Sequence, residues 1–207
     1  KPAPSRSDSA AADAAAWGRV DDEGNVWLRS GDGERIVGQY AAEGSKKDAL
    51  AIYVRRYLDL EAQLALIEAR VETVNPEESA SALRAFDKQI ANPSAVGDIE
   101  GLRNRSAALA SRISVLRTEH KAKREQAKAE ARAQREALVE RAEAIAASVD
   151  TPINWRDTRA ELMELFERWK DAQKNGPRIS RSTNDALWKR LSHARKVFEE
   201  IFSQLPE

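Results

Sequence analysis

"LAIYVRRYLDLEAQLALIEARVETV", residues 50–74, decides the fold. Leu50, Tyr53, Tyr57, Leu60, Leu64, Ile67, Val71 and Val74 recur at alternating steps of 3 and 4 residues. A helix turns once in about 3.6 residues, so these side chains form one continuous seam along a helix spanning 46–74. Such a seam needs a second helix to cover it. The sequence offers one: Ile99, Leu102, Ser106, Leu109, Ile113 and Leu116 keep the same spacing at the head of a long helix, about 98–149. The two are expected to fold back on each other as an antiparallel coiled-coil hairpin. Between them, Asn75-Pro76-Glu77-Glu78 opens a shorter helix with Asn as cap, proline in the first turn and acids beside the positive end of the dipole. Leu83, Phe86 and Ile90 give it an apolar face, and Asn92-Pro93-Ser94 closes it.

Toward the N-terminus, "WGRVDDEGNVWLRSGDGERIVGQY", residues 17–40, changes character. Three short runs are separated by Asp-Glu-Gly and by Gly31-Asp32-Gly33, and glycine supplies the positive φ that tight hairpin turns require. An isolated meander of this size is marginal in water, so it must rest on a helix or a partner. Ahead of it, "KPAPSRSDSAAADAAA" has the Pro/Ala/Ser composition of a flexible linker. With Lys rather than Met at position 1, the chain is expected to be a piece of a longer protein.

Toward the C-terminus the apolar seam of the long helix fades after Arg117 and returns at Leu138, Ala142, Ile145 and Val149. Asn154 then caps a helix carrying Trp155, Leu162, Phe166 and Trp169 on one stripe. A last helix holds Leu187, Leu191, Ala194, Phe198, Ile201 and Leu205. The expected architecture is mainly α: a linker at 1–16, a β-meander at 17–45, a helical hairpin with a long basic helix at 46–137, and a three-helix bundle at 138–207. The aromatic residues Trp155, Phe166, Trp169, Trp188 and Phe198 are expected to be buried in that bundle.

Composition narrows the function. Charged residues make up 33% and aromatics only 6%, which suits long, partly solvated helices better than a thick core. The 34 basic and 34 acidic side chains cancel overall but not locally. Residues 1–102 hold 12 Lys/Arg against 18 Asp/Glu, whereas residues 103–141 hold 11 against 5. Without cysteine there are no disulfides or thiolate ligands, consistent with a cytoplasmic location. No apolar run approaches the roughly 20 residues of a membrane-spanning helix. The two histidines, His120 and His193, stand on different expected helices with no zinc-ligand spacing, and no phosphate-loop, dinucleotide or nucleophile-elbow motif occurs. The sequence therefore points to no enzyme, no metal, no cofactor and no small-molecule substrate.

The one loop with chemistry to offer lies between two Trp-Lys pairs, in "WKDAQKNGPRISRSTNDALWKRL", residues 169–191. Gly176-Pro177 is a helix stop, with glycine expected in the left-handed region, and Ser180, Ser182 and Thr183 are candidate caps for the next helix. Arg178 and Arg181 exceed what a corner needs. Two guanidinium groups beside a helix N-terminus suit an anion, so corner and anion-binding loop both stand as readings.

The stretch from Asn154 to Phe202 resembles the bacterial domain-of-unknown-function family 349. Trp155, Trp169-Lys170, Leu187-Trp188, Ala194-Arg195 and Phe198 carry the likeness, with Leu191 where the family pattern has Phe. The front meander and long helices look like the N-terminal part of actinobacterial members. The resemblance implies a helical fold and, since its motifs are packing residues, no activity.

A binding face appears on the long helix. At 100° per residue, Arg117, Lys121, Arg124, Lys128, Arg132 and Arg135 fall within an arc of about 80°. Glu119, Glu125, Glu130, Glu136 and Glu140 lie on the flank and opposite side. A basic stripe roughly 27 Å long is shaped to follow a phosphate backbone. The plainer reading is a solvated helix laced by opposite-charge neighbours. The expectation is a non-enzymatic cytoplasmic factor that binds a nucleic acid or ribonucleoprotein machine (ribosome, RNA polymerase or structured RNA). The alternative is a coiled-coil scaffold that self-associates without nucleic acid.

Overall fold

The fold was obtained as a computed structural model, which describes residues 3, 5–31, 33–40, 44–148 and 154–205. Asp32 of the second turn and Val149 of the last seam lie outside the described residues. Among the described residues nine elements follow in order: α1 (Arg6–Ala15), β1 (Gly18–Val20), β2 (Asn25–Ser30), β3 (Gly33–Gln39), α2 (Lys46–Arg70), α3 (Pro76–Ile90), α4 (Ile99–Ala147), α5 (Trp155–Asn175) and α6 (Arg181–Ser203). They divide into two compact units, residues 1–120 and 121–207, with α4 contributing to both. The fold is mainly α, as the periodicity predicts. The division falls at 120/121 rather than at 137/138.

In the first unit the seam of α2 is buried as expected. Leu60, Leu64 and Val71 share one core with Leu83, Phe86 and Ile90 of α3 and with Ile99, Leu102, Leu109 and Ile113 of α4. The direction of pairing differs from expectation. Arg105 of α4 reaches Glu61 and Glu68, and Arg112 reaches Glu72, so α2 and α4 ascend together. They are parallel, not an antiparallel hairpin. The antiparallel member is α3: Ser106 donates to Asp87, while Arg117, farther along α4, pairs with Glu77, nearer the start of α3. An Asn75 cap and Pro76 make α3 a real return stroke, with Asn75 Oδ1 accepting from Glu77 N at 2.9 Å. The link to α4 then crosses the N-terminal half of α2. Val96 N donates to Tyr53 O at 3.0 Å, and Gly97 lies so close beneath the Tyr57 ring that a Cβ would overlap it.

The meander has strand order β1-β2-β3, all antiparallel. Val26 and Leu28 alternate into the core, and Val37 of β3 joins them. Gly24 and Gly31 take φ of +82° and +57° in the two turns, as the glycine spacing predicts. Asp21 organises the first turn, accepting from the backbone N–H of Glu23 and Asn25, from the Asn25 amide and from the Trp27 indole at 2.9–3.0 Å. Those donors, the Trp27 indole foremost, hold its carboxyl at about 2.

The N-terminal lead is not a linker throughout. Ser5 and Asp8 form a reciprocal capping box, and the alanine-rich run after them makes α1. Alanine is the best helix former, and here Ala14 is buried while Ala11 and Ala15 pack on the same core.

The second unit repeats the up-down-up arrangement with the remainder of α4, α5 and α6. Arg141 pairs with Glu161, Arg159 with Glu199, and Arg190 with Glu143. Its core is Val139, Ala142 and Ile145 against Leu162, Leu165, Phe166, Trp169, Leu187, Leu191, Ala194 and Phe198.

Leu64 is fully buried and Leu109 nearly so. Leu64→Ala and Leu109→Ala should each lower stability by about 2–5 kcal/mol in urea titrations followed by circular dichroism. The Asp21 turn has a pH signature. Its folded-state pKa lies below the ordinary 3.8, so its contribution is present above about 4 and is lost as the pH falls toward 2. Asp21→Asn, whose amide nitrogen cannot accept from the Trp27 indole, should therefore lower stability at neutral pH and flatten the acid limb of a Trp27-sensitive fluorescence titration between pH 4 and 2.

Candidate nucleic-acid interface

The six basic residues of the α4 stripe do not share one environment. Arg117 lies in the first unit, and its guanidinium is bidentate to Glu77 at 2.8 and 3.3 Å. In the second unit, every residue from Lys121 to Glu130 is exposed. Lys121 and Arg124 form no ion pair among the described residues. Lys128 stands 3.8 Å from the exposed Glu125, and Arg132 2.8 Å from the half-buried Glu136, both on the same helix. Pairs of that kind contribute little and yield to competing anions. Lys121, Arg124 and Lys128 are available cations, with Arg132 beside them.

Arg135 is a correction. Expected on the exposed stripe, it is only 2% exposed. The reason is register: Ala131, Arg135, Val139, Ala142 and Ile145 step by 4, 4, 3 and 3, and the other four are buried. Arg135 thus occupies a seam position of the second unit, and the basic arc and the packing seam overlap there. Its Nη2 donates to Ala172 O at 2.8 Å and to Pro177 O at 2.9 Å. Burial pushes its pKa below the usual guanidinium value, but an arginine so placed keeps its charge. Its Nε is buried without an acceptor.

That contact settles the architecture of the 176–181 corner. Near the end of α5 Ala172 O already accepts from Gly176 N at 3.0 Å; Arg135 adds a charged donor to it and supplies one to Pro177 O just beyond the helix. Gly176 is not left-handed as expected; its φ is −88° and its ψ 170°. It is glycine for closeness instead, because a Cβ would sit 2.7 Å from Ala172 O. On the far side Ser180 caps α6, its Oγ accepting from Thr183 N at 3.3 Å. Arg178 and Arg181 take no part in these bonds. Both are exposed, Arg181 with 97% of its side chain free and 4.0 Å from Asp185. The two guanidinium groups are held by nothing that fixes them on a common point.

The aromatic residues also divide. Phe166, Trp169 and Phe198 are buried and Trp155 partly so, but Trp188 is 43% exposed. It rests on Trp169 and Phe166 with ring centroids 6.0 Å from each. The seam of α6 runs through Leu187, Leu191, Ala194 and Phe198, which turns position 188 to the edge of the core. No group of three or more His, Asp or Glu side chains suited to a metal occurs among the described residues.

Residues 101–177 match the family described as Domain of Unknown Function (DUF349). The match takes in most of α4, all of α5 and the Gly176-Pro177 stop. Trp155 and Trp169-Lys170 fall inside it, while Leu187-Trp188, Ala194-Arg195 and Phe198 lie beyond it. No curated protein and no solved structure matches the chain. No helix of the described residues is long and apolar enough to cross a membrane.

Replacing Arg135 tests its role in the corner. Arg135→Ala removes two part-buried, charge-assisted bonds to backbone carbonyls and should cost about 1.5–3 kcal/mol in chemical denaturation. Arg135→Lys should recover only part of the loss, since an ammonium lacks the flat fork that reaches both oxygens.

Proposed function

We propose that the chain is a non-enzymatic, cytoplasmic nucleic-acid-binding factor that grips phosphate through the exposed face of α4 at Lys121, Arg124, Lys128 and Arg132. One observation carries this reading: ten successive residues, 121–130, are exposed on a regular stretch of helix that spends none of its side chains on packing. They include Lys121, Lys123, Arg124 and Lys128 against Glu125 and Glu130. A helix kept clear of the core and biased to positive charge matches a row of phosphates, whose neutralisation releases counterions. The partner class is a ribosome, an RNA polymerase complex or a structured RNA. Arg117 and Arg135 are left out of the contact set, since one is committed to Glu77 and the other to the α5 end.

The scaffold alternative rests on heptad seams pairing between chains. Leu64, Leu102, Leu109 and Ile113 are buried within a single chain, so the seams lend it no support.

Binding of the chain to RNA or ribosomes should weaken steeply with salt, by about one logarithmic unit per logarithmic unit of salt for each phosphate contacted. Charge reversal of Lys121, Arg124 and Lys128 together should weaken association strongly, with helicity and melting unchanged because all three are off the core. Association insensitive to that triple variant would remove the α4 face from the mechanism.

A further inference from the structure

We infer a second site on the 121–207 unit, a base-stacking platform centred on Trp188 that takes an unpaired base of a single-stranded nucleic acid. Trp169, Lys170, Lys174, Asn184, Asp185 and Trp188 line a recess of about 480 Å³ beside the end of α5 and the start of α6. The Trp188 ring is held from below by Trp169, tilted at 31°, and by Phe166, edge-on at 78°. Both supports are buried, so the exposed part of the indole is presented in a fixed orientation at no further cost of ordering. Its N–H has no acceptor among the described residues.

The chemistry around the ring selects the ligand. Lys170 and Lys174 stand one helical turn apart on α5 beside the recess. Lys174 has no ion pair among the described residues, and Lys170 meets only an exposed Glu167 at 3.4 Å. Asp185, the acid of the lining, faces Arg181 at 4.0 Å. A flat π-face flanked by two available ammonium groups suits a ring that carries a phosphate. Asn184 lines the recess beside the ring. Every base has a π-face, so stacking at Trp188 confers preference for unpaired over paired nucleic acid rather than for a sequence.

This site goes beyond the phosphate contact proposed for α4, and the two are separable because stacking requires bases and the α4 face requires only phosphates. Fluorescence anisotropy of the full chain with a labelled ten-nucleotide strand, as RNA and as DNA, is compared with an abasic strand of equal length. The intact chain should favour the base-bearing strand by about tenfold or more. Trp188→Ala should erase that ratio, Trp188→Phe should keep most of it, and Lys170→Glu with Lys174→Glu should weaken both strands. RNA and DNA binding equally, or RNA binding better, each fits the platform and tells whether the 2′-hydroxyl contributes. Charge reversal of Lys121, Arg124 and Lys128 should weaken both strands while leaving the ratio; if that variant changes nothing, the α4 proposal fails and the platform stands. A ratio near one in the intact chain, or one unchanged in Trp188→Ala, overturns the platform.

Discussion

Everything in the first unit depends on covering the seam of α2. Leu60, Leu64 and Val71 lie on one side of a 25-residue helix, and exposing them would forfeit most of the apolar burial this unit has. Two helices cover the seam, one descending and one ascending. The need to bring α4 back to the starting end of α2 explains the buried link at Pro93–Gly97, the hydrogen bond from Val96 to the Tyr53 carbonyl and the glycine under Tyr57. The meander is a consequence too. It gains its anchorage by placing Val26, Leu28 and Val37 on the core that α2 organises.

Charge is arranged by the same constraint. In each unit the helices are bridged by Arg–Glu pairs at the borders of the seams, such as Arg105 with Glu68 and Arg190 with Glu143. Arginine suits the position because its long apolar stem lies along the neighbouring helix while the fork meets a carboxylate. These pairs are half-exposed and contribute modestly to stability. Their larger effect is on register, since each fixes which turn of one helix stands beside which turn of the other. The α4 segment 121–130 has no such bridge to another helix among the described residues, and its cations are left for a partner.

Much of this was legible in the residues, and the failures have physical causes. Heptad spacing identifies a seam but is blind to direction, so the partnership of α2 with α4 was readable and its parallel sense was not. The short α3 held that information, because one return helix between two strokes makes the outer pair parallel. The α1 helix was hidden by composition, though Ser5 and Asp8 at a capping-box spacing were the available signal. Spacing among the basic residues alone assigns Arg135 to the exposed face rather than the core because a cation at a seam position reads as surface. Its spacing from Val139 and Ala142 was the clue. Trp188 was misplaced for the reverse reason: tryptophan reads as core, yet its neighbour Leu187 already occupied the inward position.

Arg135 meets α5 through carbonyl oxygens alone, and this has a consequence for how the chain can vary. A bond from a side chain to the backbone asks nothing of the side chains at its far end. Ala172 and Pro177 can change, provided the path of the backbone is kept, without breaking the contact. No compensating substitution would mark the pair, so two positions 37 residues apart in sequence can be tightly linked and still drift independently. The corner they hold is thereby released from the task of specifying the fold. Its outward side chains, Arg178 and Arg181, are free to be altered for whatever surface the protein must present.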